Sequence, residues 1–361
     1  MGNTTVSAEL VVQQWNEKAF NESLSRNKFL PLISKKVNAT IREVDDLTKE
    51  RGDNVEVTFI PQLHNDPVTG DDAMHGNEEE LGNFGMNMKV ERYSNATSIG
   101  KHERRKSIKD LYDEFAPALL DWDAKLLRKQ IVQAFLSPNL DGYTAYASCT
   151  EAQKDAWVAA QYAHNRVLFG ASVGNYSASD HSASLLTVDG TTDVLSPAIV
   201  SLLKRYVQGT EDSTSKYDLA PISDADNEEF VLLCNRYAWR DFRNQATFYG
   251  PLEYAGVRGD SNPLFSGSDL LWDGVRIVCV NEFPVISGVG AAGIDVAPCI
   301  LVGASALGMA VAEKTNLTPD DFDYKRISGI QVARTSAVSK LIWDDCQMGI
   351  ATLYVAGVAD T

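Results

Sequence analysis

The 361 residues are 44% hydrophobic and 23% charged, the composition of a folded globular chain, which excludes a disordered or fibrous protein. Subtracting 49 acidic from 33 basic residues leaves a net charge of −16, which excludes tight nucleic-acid binding by the whole surface, because that affinity comes from neutralising phosphates. No apolar run reaches the ~18 residues of a membrane helix and no basic leader precedes an apolar core, so no membrane contact and a cytoplasmic site of synthesis are expected.

Residues 7–34 read as an amphipathic helix followed by an extended segment, with Leu10, Val11, Trp15 and Phe20 apolar: an arm that needs a partner. Two strand-like runs follow, Asn54 to Leu63 and Gly85 to Ser94, each alternating over most of its length. Between them lies a loop, His64 to Phe84, that carries Asp66, Asp71, Asp72, Glu78, Glu79 and Glu80 and no Lys or Arg. The sign inverts immediately afterwards, at Lys101, Arg104, Arg105, Lys106 and Lys109 against Glu103. A projecting hairpin carries its tip away from its own base, so an acidic tip and a basic patch meet most easily between neighbouring copies. That arrangement predicts a homo-oligomer.

Ser107 to Leu136 is the longest run of helical periodicity, with Ile108, Leu111, Phe115, Leu119, Trp122, Leu126 and Phe135 apolar mostly three or four apart. The spacing predicts one helix of roughly 45 Å with one buried side, capped by Ser107, stopped by Pro138 and bent at Pro117. Such a rod is a spine for the rest of the chain. Beyond it, a shorter helix is expected around Trp157, and another over Leu195 to Val207, with Ser196 as cap and Pro197 as first helical residue. Strands are expected at FVLLCNRYAW, WDGVRIVCVNEFPVI, APCILVGASA, GIQVAR and GIATLYVAG. The fold class is therefore α+β.

Little of this sequence has the pattern of a catalytic centre. Gly288-Val289-Gly290-Ala291-Ala292-Gly293 matches the dinucleotide glycine pattern after a strand, but Ile294 to Pro298 leads into another strand where a helix N-terminus would have to meet the pyrophosphate. It reads as a strand connection, and no cofactor is expected. His64, His75, His102, His164 and His181 fall in loops and charged stretches without ligand spacing and read mostly as solvated. The five cysteines, odd in number and scattered, read as small buried hydrophobes rather than disulfides or a zinc site. Asp320-Asp321 and Asp344-Asp345 read as helix starts or turns.

The order of parts resembles the major capsid proteins of tailed bacteriophages, in particular those of the phage N-four type, from about Arg42 onward. The resemblance rests on DDLTKERGD, GDDAMHGNEEEL, the basic KHERRKS, FVLLCNRYAWRDF, NPLFSGSDLLWDGVRIVCVNEFP and ILVGASAL. It implies the Hong Kong ninety-seven-type capsid fold, with an N-terminal arm (1–53), an extended loop (54–101), a peripheral domain with the spine helix (102–190), an axial domain (191–318) and return strands of the peripheral domain (319–361). It also implies a structural, non-enzymatic protein that self-assembles as hexamers and pentamers into an icosahedral shell around double-stranded DNA, without sequence-specific binding. A separate scaffolding protein, a portal and a decoration protein are the implied partners, and the host cytoplasm is the implied place of assembly. The competing readings are a nucleotide-dependent soluble enzyme built on Gly288 to Gly293 and a phage decoration or tail protein.

Overall fold

A computed structural model describes residues 29, 32–36, 39–44, 54–59, 68–69, 74–76, 78, 84–106, 114–208, 218–222, 229–245 and 270–360. In chain order the first strands are β1 (Ile33–Ser34), β2 (Ile41–Val44), β3 (Asn54–Phe59), β4 (Phe84–Lys89) and β5 (Glu91–Gly100), followed by helices α1 (Lys101–Lys106), α2 (Phe115–Leu136) and α3 (Glu151–Ala163). Then come β6 (Val167–Phe169), α4 (His181–Leu185), α5 (Pro197–Gln208), β7 (Phe230–Cys234), α6 (Arg236–Asn244), β8 (Leu270–Trp272), β9 (Val275–Cys279) and β10 (Val296–Val302). The chain closes with β11 (Leu307–Phe322), β12 (Ile327–Lys340), β13 (Ile342–Trp343), β14 (Cys346–Gln347) and β15 (Ile350–Ala356).

Two sheets carry the body. One has the order β1-β2-β11-β12-β5 and is dominated by the long antiparallel hairpin of β11 and β12. The other has the order β6-β15-β10-β7-β9-β8, and two of its inner strands, β10 and β15, are buried at all seven positions, as strands covered on both faces must be. One face packs on α5 and α6 through Ile199, Leu203, Ala238 and Phe242. The opposite face is shared by α2, through Ile131 and Phe135 against Ile300 and Ile350, and by α3 and α4, through Trp157 and Leu185 against Tyr354.

Helix α2 is the spine that the periodicity predicts, with different bounds. It runs from Phe115 to Leu136, 22 residues, or roughly 33 Å. Residues 107–113, and with them the expected Ser107 cap, lie outside the described residues. Pro117 therefore falls in the first turn, where its missing N–H removes no intrahelical bond, rather than one third of the way along. The N-terminal half, through Leu119 and Leu120, packs on Leu317 and Val332 of the long hairpin, while the C-terminal half touches both sheets. A buried ion pair fixes the register: Asp123 of α2 lies 2.9 Å from Arg334 of β12.

Other expectations shift for local reasons. The strand expected through Trp239 stops at Cys234, because the Asn235 side chain accepts from the Ala238 N–H at 2.9 Å and starts α6. The strand expected over 272–286 is divided by Asp273 and Gly274, both at positive φ, which turn β8 into β9. Asp320 and Asp321 sit within β11, whereas Asp344 and Asp345 do form a turn, between β13 and β14. A division at residue 318 cuts β11, and β15 joins the six-stranded sheet, so 319–361 serves both sheets.

Candidate functional site

The hairpin β3–β4, whose loop carries the acidic run of the sequence, and the basic helix α1 are joined by one strand, β5. β3 and β4 form an antiparallel hairpin from Asn54↔Lys89 to Phe59↔Phe84, with Val55 and Val57 inward and Glu56 and Thr58 toward solvent. Trp343 holds this hairpin to the body: its ring stacks on Phe59 at 5.0 Å, and its Nε1 donates to the Val57 carbonyl at 3.1 Å. The chain then passes from Lys89 into β5, whose ten residues span roughly 30 Å at ~3.3 Å each. α1 begins directly after β5, so the hairpin base and the basic helix are separated by the length of that strand.

Of the six acidic residues of the loop, Glu78 is described. It is exposed, accepts from the Gly76 N–H at 2.6 Å and faces His75 Nδ1 at 3.5 Å. Hydrogen bonds from backbone amides hold its carboxyl below the usual range, so it is an anion at neutral pH. Asp66, Asp71, Asp72, Glu79 and Glu80 lie outside the described residues, as does Lys109. On α1, Lys101, Arg105 and Lys106 are exposed and Arg104 is half-buried; Lys106 pairs with Glu103 at 2.7 Å.

The far end of the β11–β12 hairpin lies against the same helix, since the Lys101 N–H donates to the Arg326 carbonyl at 2.9 Å and Gly100 pairs with Ile327. Lys325 and Arg326 therefore lie beside the basic helix, Arg326 paired with Asp323 at 3.7 Å, and Tyr324, 99% exposed, projects next to them. Asp323, Tyr324 and Lys325 hold φ of 52°, 53° and 63°, a left-handed run without a glycine, which presents these side chains at an energetic cost. Sequence reasoning did not find this tip. Its signal was the aromatic-charged run Phe322 to Arg326 between two strands, and only one of those strands was read.

A family model described as phage capsid protein matches residues 3–351. The chain belongs to the phage capsid protein family. The capsid chain is similar to the major capsid protein of Pseudomonas phage KPP25, 26% identical with 98% of each chain covered. Among solved structures it is similar to a chain of the Cyanophage Pam1 capsid asymmetric unit, with a TM-score of 0.84 and 24% identity over 100% of both chains. The capsid of Ralstonia phage GP4 follows at 0.71 and 18% identity, covering 91% of this chain and 90% of that one. The fold is thus the α+β architecture of phage capsid subunits, the Hong Kong ninety-seven type expected from the sequence.

The other motifs of the capsid chain take structural places. Gly288 to Gly293 is a loop closed by a single 3₁₀ turn, Ala291–Gly293, that leads straight into β10, with Gly290 N–H bonded to the Ile294 carbonyl. His181, one of five histidines expected to be mostly solvated, is 1% exposed, because the Asp180 cap seats α4 on Trp157, Phe169 and Tyr354. Cys149, Cys234, Cys299 and Cys346 are buried thiols. Among the described residues no group of three or more His, Cys, Asp or Glu is arranged to hold a metal ion, and no helix is long and apolar enough to cross a membrane.

Proposed function

We propose that this chain is the major capsid protein of a tailed phage, assembling as hexamers and pentamers into an icosahedral shell that encloses double-stranded DNA. The full-length match in shape to a chain of a phage capsid is the observation that carries the reading. The work is mechanical: the chain supplies geometry, not catalysis. Residues 1–53 serve as an arm and 54–101 as the extended loop with its return strand. The body around α2 and the five-stranded sheet is the peripheral part, and the body around the six-stranded sheet is the axial part.

Between copies, the acidic loop (Asp66, Asp71, Asp72, Glu78, Glu79, Glu80) docks on the basic surface of a neighbour, made of Lys101, Arg104, Arg105, Lys106 and Lys109, with Lys325 and Arg326 beside it. The separation of hairpin base and α1 along β5 supports contact between copies rather than within one. Each exposed pair contributes about 0.2–1 kcal/mol, so the effect acts through repetition around a closed shell, and apolar burial supplies most of the affinity. A scaffolding protein, a portal and a decoration protein complete the particle, which forms in the host cytoplasm.

Quantifying this chain per purified virion tests the assignment. Hundreds of copies support a shell subunit; a few copies would make it a tail component and overturn the reading.

A further inference from the structure

The spacing of the cysteines along the chain gives no pairing, but the register of the six-stranded sheet does. Cys234 ends β7 and Cys279 ends β9, and the two stand opposite each other in the parallel ladder of these strands. Ile277 lies on the α5 and α6 side of the sheet with Cys234, whereas Val278 packs on the other side. Alternation along β9 therefore puts Cys279 on the same face as Cys234. Cys234 Sγ lies 3.7 Å from the Val278 carbonyl, so it leans toward β9. The Val280 N–H donates to the Cys234 carbonyl at 2.8 Å and clamps the two strand ends together. Residues paired across neighbouring strands stand about 4.7–4.9 Å apart, inside the roughly 4.4–6.8 Å between Cα atoms that a disulfide spans. Closing the bond draws the Cβ atoms slightly nearer, a movement open to strand ends more than to strand centres.

The two thiols differ in what can reach them. Cys234 is 0% exposed, and burial pushes its pKa well above the ordinary thiol value, so it stays protonated and inert to outside reagents. Cys279 is half-buried, and its sulfur lies 3.6 Å from Oδ1 of the exposed Asn281, just past the strand end. Continuing the pairing of Leu233 with Ile300 by one residue sets Cys299 on the other side of Cys234, but Cys299 is itself fully buried. An oxidant thus meets Cys279 first, with Cys234 as its neighbour.

We propose that Cys279 and Cys234 form an oxidant-closed pair: a peroxide oxidises Cys279, and Cys234 resolves it into an intrachain disulfide that ties β7 to β9. In the first step Cys279 Sγ takes one oxygen as the O–O bond of hydrogen peroxide breaks, giving a sulfenic acid and one water. In the second, Cys234 Sγ attacks that sulfur, the S–O bond breaks, and the oxygen leaves with the Cys234 proton as a second water. The two thiols together lose two electrons and two protons, which the peroxide takes up. A reducing cell interior keeps the pair open, and an oxidising medium closes it. The inference concerns the subunit alone and does not depend on the assembly reading.

The test treats the full chain, purified under reductant, with hydrogen peroxide, alkylates the remaining thiols and maps the products by mass spectrometry without reduction. Cleavage after Arg276 and Glu282 separates Cys279 from Cys299, so each partner is identified. A dithiothreitol-sensitive linkage between the Cys234 and Cys279 peptides is expected. The oxidised chain should unfold several degrees above the reduced one, because the bond restrains residues 235–278 in the unfolded chain. Cys279→Ser should form no disulfide and lose that rise, and Cys299→Ala should keep both. Peroxide treatment that leaves Cys279 as a sulfinic acid and Cys234 open to alkylation in the unfolded chain would overturn the proposal. So would a disulfide from Cys234 to Cys299, or one that joins two chains through Cys279.

Discussion

Asp123 and Arg334 form an ion pair at 2.9 Å, with 2% and 3% of their side chains exposed, where the spine helix crosses the long hairpin. Their remaining hydrogen-bonding capacity is used nearby: Thr315 donates to Asp123 at 2.8 Å, and Arg334 donates to Gln130 and Ser336, each at 3.1 Å. Burial lowers the Arg334 pKa and Asp123 offsets part of that shift, so the pair is a tie between α2 and β12 whose halves depend on each other.

Removing one partner therefore leaves a buried, uncompensated charge. Asp123→Ala should lower stability by about 3–5 kcal/mol in denaturant unfolding of the subunit, and Arg334→Met should do the same. The double variant Asp123→Leu/Arg334→Met should recover much of the loss. If the double variant is as unstable as the sum of the singles, the two side chains are not coupled.

The anchoring of the β3–β4 hairpin makes a second, local prediction. Trp343→Ala removes the stack on Phe59 and the bond to the Val57 carbonyl, a loss of about 3–5 kcal/mol for a large buried ring. Limited proteolysis between Phe59 and Phe84 should accelerate in this variant, while Trp343→Phe should lie between it and wild type. Equal cleavage rates in all three would show that Trp343 does not hold the hairpin.

Acid should weaken the subunit through His181. Burial holds its pKa at about 4 against an ordinary 6.5, with the nearby Lys154 acting in the same direction. Because the folded pKa is the lower one, the unfolded chain takes up a proton first as the pH falls. Stability from this site is complete above 6.5 and is lost progressively toward 4, by up to about 3 kcal/mol. Unfolding curves between these pH values should show that loss in wild type and a flatter profile in His181→Phe, whatever its absolute stability.

Charge reversal tests the docking surface. Arg104→Glu with Arg105→Glu should reduce shell assembly measured by sedimentation, and reversal of Glu78, Glu79 and Glu80 to Lys should partly restore it. Normal assembly of the first variant would remove α1 from the interface. The defect and its rescue should both shrink as salt rises, since exposed charges are screened.

The elements legible in the sequence are those governed by neighbours in the chain. Val55 and Val57 alternate as a half-buried strand and pack as one; Ser196 and Pro197 start α5, with Ser196 Oγ accepting from the Ile199 N–H. β11 escaped detection because register shifts between Val311 and Glu313 and between Glu313 and Asn316 break the period-two pattern. Its existence depends on β12 across the hairpin, a pairing that propensity alone does not express. The same holds for the buried sites: His181 meets Tyr354, and Asp123 meets Arg334, through the fold and not through spacing. In the docking surface, the basic run from Lys101 was visible as charge, whereas the position of Lys325 and Arg326 beside it follows from the pairing of Gly100 with Ile327.

Cryo-electron microscopy of particles formed by the full chain expressed with its scaffolding partner tests the central claim most directly. The account predicts closed icosahedral shells of hexamers and pentamers, with the loop between Phe59 and Phe84 of each copy against a neighbour's Lys101–Lys106. A chain that stays a monomer or small dimer with the scaffold present would contradict it.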